Sequence, residues 1–169
     1  MSRRGPRVAC FVALAFAAVA CSEASDVSAT VGDPVAPAQW DQTTPESAVR
    51  SYLDWVSFSY RMANSEIPTA TMTPGELVRV DSYIQLNRME DKGLEQTLDT
   101  LQVRNVTQEA TSAVLIATEM WTYRYFSLST LEYLTESLSA SYDTTYTLVP
   151  GDAGWLVDRV EATPKSEVQ

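Results

Sequence analysis

The segment around Glu119 contains the residue types and spacing that could do chemistry. Strict alternation places Glu119 on one face of a predicted strand with Trp121 and Tyr123, among small apolar residues. A carboxylate on an otherwise apolar face must be paired, neutralised or in contact with water. Three roles stay open: a salt bridge to Arg124 or another arginine, recognition of a polar ligand, or general-base catalysis with Tyr123 or Tyr146 as the electrophile.

Aromatic residues crowd the same part of the predicted sheet. Most of them are expected in the core, but a small domain seldom buries so many phenols unless some line a concavity, where rigid rings with polar tips suit ligand binding. The segment from Ser127 to Ser137 is predicted to form either a lid over that opening or a plain excursion of the strand. The candidate ligand-binding residues are Glu119, Trp121, Tyr123, Tyr142, Tyr146 and Trp155.

Several chemistries are excluded by composition. The chain has no histidine, which removes the usual general base of serine and cysteine hydrolases and the commonest ligand of zinc, copper and iron. Its six glycines are scattered, so neither standard phosphate-binding loop is present. No run resembles a calcium loop. We therefore expect no cofactor and no metal site, and the chemistry that remains is that of carboxylates and phenols.

The first 43 residues predict export and a lipid anchor. Three arginines precede an apolar run, residues 8–20, that is too short to span a bilayer and has the layout of a secretory signal. Residues 18–21, Ala-Val-Ala-Cys, resemble the lipobox of bacterial lipoproteins, which implies acylation of Cys21 and attachment to the lipid bilayer. A flexible tether follows to residue 43. The expected location is the bacterial cell envelope, on the periplasmic or outer-membrane side.

Charge narrows the range of partners. Beyond Cys21 the chain has nine basic and 22 acidic residues, a formal charge of −13. Nucleic acids and anionic membrane surfaces both require a cationic patch, and the sequence contains no basic cluster. We therefore expect no nucleic acid partner.

Two helices are predicted ahead of the sheet. In the first, Thr43 is expected to cap a helix of about 18 residues, with Glu46 completing a capping box. The second begins with the same pattern at Thr73 and covers residues 74–90. Both show apolar residues at helical spacing, so each has one buried face.

Beyond Gly93 the apolar pattern changes from helical to alternating, which predicts strands. The turn at residues 150–154 makes the last two strands an antiparallel hairpin. Helices followed by a strand meander indicate an α+β fold, with the helices packed on one face of a curved antiparallel sheet. The domain is expected to span residues 44–163, with a short tail at 164–169, and its strands lie near residues 97–107, 111–126, 139–149 and 154–163.

Two N-terminal helices followed by long antiparallel strands resemble the cone-shaped nuclear transport factor two-like fold. The C-terminal half is similar to the IMS domain of plastid and cyanobacterial division proteins. This resemblance is carried by Leu98, Leu101, Val103, Val106, Ala113, Val114, Ala117, Glu119, Tyr142, Tyr146, Leu148, Gly154, Trp155 and Val157. It implies a non-catalytic domain whose concave face holds a partner peptide or small ligand, and homodimers through the open sheet face are common in this fold.

Three hypotheses follow. The first is an envelope lipoprotein whose domain binds a protein segment or a hydrophobic small molecule in an aromatic-lined concavity. The second is an isomerase or dehydratase of the same fold that uses a pocket glutamate and tyrosine. The third is a structural spacer in an envelope assembly.

Overall fold

Two helices precede the sheet in the part of the chain, residues 29–167, that the computed structural model describes. Helix α1 spans Pro45–Met62 and helix α2 spans Pro74–Met89, and a short 3-10 helix at Thr69–Thr71 connects them. Proline suits the first turn of each helix because its φ is fixed and its missing N–H would have no partner there. Both predicted helices are confirmed.

The cap of α1 differs from the prediction. Thr44, rather than Thr43, is the N-cap, and its hydroxyl accepts the Ser47 backbone N–H at 3.1 Å while the Ser47 hydroxyl accepts the Thr44 N–H at 3.1 Å. Pro45 occupies the first helical position, so the residue before it must be the extended cap. The predicted partner Glu46 instead forms an ion pair within the helix.

The four predicted strands form one antiparallel sheet in the order β1-β2-β3-β4. The strands are longer than expected at both ends of the sheet: β1 begins five residues early, and β4 continues through most of the predicted tail. Both extensions are stabilised by backbone pairing with the neighbouring strand. The strands span Lys92–Gln108 (β1), Ala113–Ser127 (β2), Leu138–Gly151 (β3) and Gly154–Glu167 (β4).

Irregularities in register bend the sheet. Two shifts lie between β1 and β2 and two between β3 and β4. Each shift leaves one residue without an opposite partner, and all four such residues belong to the outer strands β1 and β4: Asp99, Arg104, Asp158 and Lys165. Because a bulge bends its strand and increases the local twist, these positions give the sheet its curvature.

The core lies between the helices and one face of this sheet. The alternation predicted for β3 is confirmed, because Ala140, Thr144, Tyr146 and Leu148 are buried there. The ring of Tyr146 packs edge-on against that of Tyr52 in α1, with centroids 6.3 Å apart. Around them the core consists of Ala48, Val49, Leu53, Val56, Met72, Val80, Ile84, Ala113, Leu115, Ala117, Trp121 and Val157.

The N-terminal segment is attached to the domain earlier than predicted. Thr30 pairs with Glu132 in an isolated bridge, and the buried Gln42 accepts the Trp155 N–H through its carbonyl oxygen at 2.8 Å. Gly154 permits this contact: its φ is +138°, and a Cβ there would lie 2.2 Å from the Gln42 oxygen. The tether expected up to residue 43 therefore contacts the domain near its start, at Thr30, and near its end, at Gln42, whereas residues 32–36 between these points are exposed.

The predicted signal peptide and Cys21 lie outside the described residues. Among the helices that are described, none is both long and apolar enough to cross a membrane.

Candidate functional site

A cavity of about 480 Å³ lies between the helices and the inner face of the sheet. Seven of the chain's eight tyrosines line it. Ala162, which is exposed, stands at its rim, so the cavity is open to solvent. The lining residues are Tyr52, Leu53, Val56, Tyr60, Tyr83, Leu94, Gln96, Glu119, Trp121, Tyr123, Tyr125, Tyr142, Thr144, Tyr146, Val160 and Ala162.

Glu119 is the acidic residue of this cavity and is only 4% exposed. Its Oε1 accepts a hydrogen bond from the Tyr146 hydroxyl, and its Oε2 accepts one from Trp121 Nε1 at 2.8 Å. Burial, followed by the charge of Glu119, raises the pKa of Tyr146 well above its usual value, so that phenol stays neutral and donates a hydrogen bond to Glu119.

The predicted pairing of Glu119 with Arg124 is wrong. Arg124 alternates with the cavity-lining Tyr123 and Tyr125 along β2 and therefore lies on the opposite face of the sheet. There its guanidinium stacks 3.6 Å above the ring of Tyr133 and donates to a loop carbonyl. The carboxyl oxygens of Glu119 are bonded by a phenol and an indole rather than by a cation.

A second buried acid, Glu76, supports the wall of the cavity. Its Oε1 accepts the Tyr52 hydroxyl at 2.9 Å, and its Oε2 accepts Arg79 Nη1 at 2.6 Å. Burial and then the charge of Glu76 raise the pKa of Tyr52 well above its usual value. In the sequence, Glu76 is only the last residue of the helix-start pattern that begins at Thr73, because nothing in a single helix shows which neighbouring helix its side chain contacts.

Thr144 lies on the cavity floor and is 1% exposed. Its hydroxyl has no hydrogen-bond partner among the residues of the described chain. Buried polar groups are nearly always hydrogen-bonded, so this hydroxyl is expected to bond to whatever occupies the cavity. Alternation along the third predicted strand puts Thr144 on the same face as Tyr142 and Tyr146, and a hydroxyl on a buried face is the signal that would have identified it.

The opposite wall is a connected set of phenols. The rings of Tyr60 and Tyr83 lie 5.0 Å apart, and the hydroxyls of Tyr83 and Tyr125 are 3.0 Å apart. The ring of Tyr123 packs edge-on against that of Tyr125 at 6.2 Å. Burial, and to a smaller extent the charge of Glu76, raises the pKa of Tyr60 to about 12. Burial together with its hydrogen bond to Tyr125 raises the pKa of Tyr83 well above its usual value.

The structure brings five of the six sequence-predicted ligand-binding residues together at this cavity. The exception is Trp155, which lies near the β3-β4 hairpin and packs against the core there. It was expected close to the other aromatic residues of the sheet, but its position along β4 is too far from the cavity.

The segment from Ser127 to Ser137 does not cover the opening, since none of its residues lines the cavity. Tyr133 pairs with Phe126 in a bridge and donates its hydroxyl to Glu95, on the face of the sheet opposite the cavity. The backbone N–H of Val31 also bonds to this segment. It is therefore an excursion that anchors the N-terminal segment, and the lid interpretation is wrong.

Two larger depressions, of about 680 and 700 Å³, lie on the surface. The first separates residues 33–38 from α1 and β1, and its charged residues include Arg61 and Glu95, which pair with each other. The second is lined mainly by polar residues after α1 and along α2. Neither combines an apolar wall with convergent polar groups, as the tyrosine cavity does. Residues 29–167 contain no cluster of acids or other ligands that could hold a metal ion.

No model of a known protein family matches the chain, and no curated protein matches its sequence. Among solved structures, the chain is similar to the intermembrane space region of the chloroplast protein ARC6, with a TM-score of 0.58 and 18% identity over 76% of this chain and 100% of that one. It is also similar to a nuclear transport factor 2-like superfamily protein from Salmonella enterica serovar Typhimurium, with a TM-score of 0.50 and 8% identity over 75% and 96%. The fold is therefore nuclear transport factor 2-like, which confirms the predicted fold class and the resemblance to the IMS domain at the level of the fold.

Proposed function

We propose that this chain is a non-catalytic envelope lipoprotein whose nuclear transport factor 2-like domain binds a small hydrophobic molecule in the tyrosine cavity. The observation that carries the proposal is the convergence of seven phenols on one cavity whose floor holds Glu119. Its volume of about 480 Å³ lies within the range of small-molecule sites, roughly 300 to 1,000 Å³. A protein segment is the other expected occupant, and such a segment would enter across the exposed rim at Ala162.

Native mass spectrometry of the chain purified from its own host tests this proposal. A co-purifying small molecule is the expected result, and Ala162→Phe, which places a ring at the cavity rim, should remove it. The matched control is Ala110→Phe, at the exposed turn between β1 and β2. A co-purifying peptide would instead identify a partner segment.

Displacement of an uncharged fluorescent probe, N-phenylnaphthylamine, measures the same site directly. We expect the probe to bind to the wild-type chain. Ala162→Phe should weaken this binding at least tenfold, and Ala110→Phe should leave it unchanged. A chain that retains no molecule and does not bind this probe would contradict the proposal and favour a structural spacer.

The enzyme alternative is favoured by one observation, since Glu119 reaches the cavity as a catalytic base would need to. Against it, the Tyr146 hydroxyl donates its hydrogen to Glu119 and is therefore not available to polarise a substrate carbonyl. Exchange of the α-protons of beta-tetralone for deuterium, followed by NMR, separates the two functions. Exchange no faster than in buffer agrees with a binding protein, whereas acceleration lost in Glu119→Gln would establish the enzyme.

We also propose that Cys21 is acylated and anchors the chain to the membrane. Metabolic labelling with an alkyne fatty acid should label the wild-type chain and leave Cys21→Ser unlabelled and free of the membrane fraction. Cys10→Ser is the matched control, because Cys10 lies within the predicted signal and should not change labelling. Equal labelling of Cys21→Ser and wild type would contradict the lipobox interpretation.

A further inference from the structure

The charges around the tyrosine cavity are of one sign. Glu119 lines it, and within the described residues no lysine or arginine does. The chain as a whole carries a formal charge of −10, so the surrounding field also attracts cations and repels anions. A carboxylate-bearing ligand would meet repulsion from Glu119 with no cation to offset it.

Glu119 retains hydrogen-bonding capacity that the protein does not use. Each carboxylate oxygen has two acceptor positions, and each oxygen of Glu119 accepts one hydrogen bond from a protein donor, Tyr146 or Trp121. A ligand with N–H donors can use the positions that remain. Seven phenol rings line the same cavity, and the negatively polarised face of such a ring attracts a cation within about 6 Å.

Thr144 adds an independent observation. It pairs with Ala117 across the β2-β3 ladder, while Glu119 pairs with Tyr142, so Glu119 and Thr144 are diagonal neighbours on the same face of the sheet. Such neighbours lie roughly 7 Å apart, a separation that one small polar group can bridge. The backbone therefore places the buried, unpartnered Thr144 hydroxyl and the Glu119 carboxylate at neighbouring positions of the same cavity floor.

We propose that the occupant of the cavity carries a protonated primary amine on an apolar body, with the ammonium group between Glu119 and Thr144 and the apolar body against the tyrosines. An ammonium group has three N–H donors, enough to bond to both side chains. A quaternary ammonium would satisfy the tyrosine faces but would leave Thr144 without a partner. This inference rests on the proposed function and specifies its ligand class.

Isothermal titration at neutral pH and low salt, with the purified full chain, tests the ligand class. The probes are phenethylamine, which is protonated at neutral pH, and its matched analogues phenethyl alcohol, phenethyltrimethylammonium and hydrocinnamate. We expect phenethylamine to bind at least tenfold more tightly than the alcohol and the carboxylate, because hydrogen bonds to a charged group are stronger than neutral ones. Capped lysine is a further probe, since tighter binding of this compound than of phenethylamine would identify a partner protein as the source of the amine.

Two variants examine the two side chains. Glu119→Gln keeps the shape, and its amide can still accept from Trp121 and donate to the Tyr146 oxygen, so the fold should be retained. It should weaken phenethylamine binding about 10- to 100-fold and leave the alcohol unchanged. Thr144→Val should weaken phenethylamine about fivefold and leave phenethyltrimethylammonium unchanged.

Matched controls are Glu109→Gln, at the exposed turn after β1, and Thr147→Val, on the outer face of β3. Both should bind every probe as wild type does. Binding of phenethyl alcohol as tight as that of phenethylamine would overturn the inference while leaving a hydrophobic binding site in place. Amine binding that is unchanged in Glu119→Gln would overturn it as well. If N-phenylnaphthylamine also fails to bind, then the proposed function itself has failed.

Discussion

Replacing Thr144 by valine should make the domain more stable although it weakens the site. The hydroxyl is 1% exposed and has no partner in the described chain, and leaving a buried polar group unsatisfied costs about 1 to 3 kcal/mol. Valine has nearly the same shape and favours strands at least as well. Taking the lower end of that range, we expect the free energy of unfolding to rise by about 1 kcal/mol.

The assay is thermal unfolding of wild type and Thr144→Val, each with and without phenethylamine. For a domain of this size, about 1 kcal/mol raises the melting temperature by roughly 4 °C. The amine should then stabilise the variant less than wild type, because ligand stabilisation depends on the ratio of ligand concentration to Kd. The two effects have opposite signs, which a general loss of structure cannot produce.

A fall of more than about 1 kcal/mol in the variant would refute the reasoning, because it would mean that the Thr144 hydroxyl makes a hydrogen bond within the protein. Thr147→Val is the control for strand propensity, since Thr147 lies on the outer face of the same strand. Its free energy of unfolding should change by less than about 0.5 kcal/mol.

Three further predictions concern the scaffold. Burial raises the pKa of Tyr52, Tyr60 and Tyr146, so the unfolded chain loses these protons near pH 10 while the folded chain keeps them. The free energy of unfolding, measured with urea, should be constant below about pH 10 and fall above it by up to about 4 kcal/mol per pH unit. Titration of every phenol near pH 10 in the tyrosinate absorbance of the folded chain would contradict this. Gly154→Ala should lower the free energy of unfolding by at least about 2 kcal/mol in the same assay, and a neutral result would show that the +138° backbone is not required. Ala63→Gly should raise the free energy of unfolding by about 0.5 kcal/mol, because Ala63 has a left-handed φ of 47° at the end of α1. A lower free energy of unfolding in this variant would mean that burial of the Ala63 methyl group matters more than its backbone conformation.

Local patterns in the sequence predicted the elements and the faces well. Alternation placed Glu119, Tyr142 and Tyr146 on the inner face, and proline with threonine marked the starts of both helices. These features depend on residues a few positions apart, which is the range over which strand pleating and helix capping act.

The contacts between elements could not be predicted in the same way. Whether Tyr146 reaches Glu119 depends on the β2-β3 register, and a ten-residue connection does not fix that register by its length. The contact of Glu76 with Tyr52 depends on how α2 packs against α1. The error for Trp155 has a similar cause, because alternation gives the face of a strand but not the distance along it.

The four bulges of the outer strands should affect how the domain behaves when many copies lie close together. The bulges at Asp99 and Arg104 in β1 and at Asp158 and Lys165 in β4 interrupt the regular ladder of backbone N–H and C=O groups along the two edges of the sheet, and a strand from a neighbouring molecule would need that ladder to pair. A chain concentrated on a two-dimensional surface meets its own copies far more often than one in free solution. These edges should resist such encounters, so crowding of many copies would leave the domains separate rather than joined strand to strand.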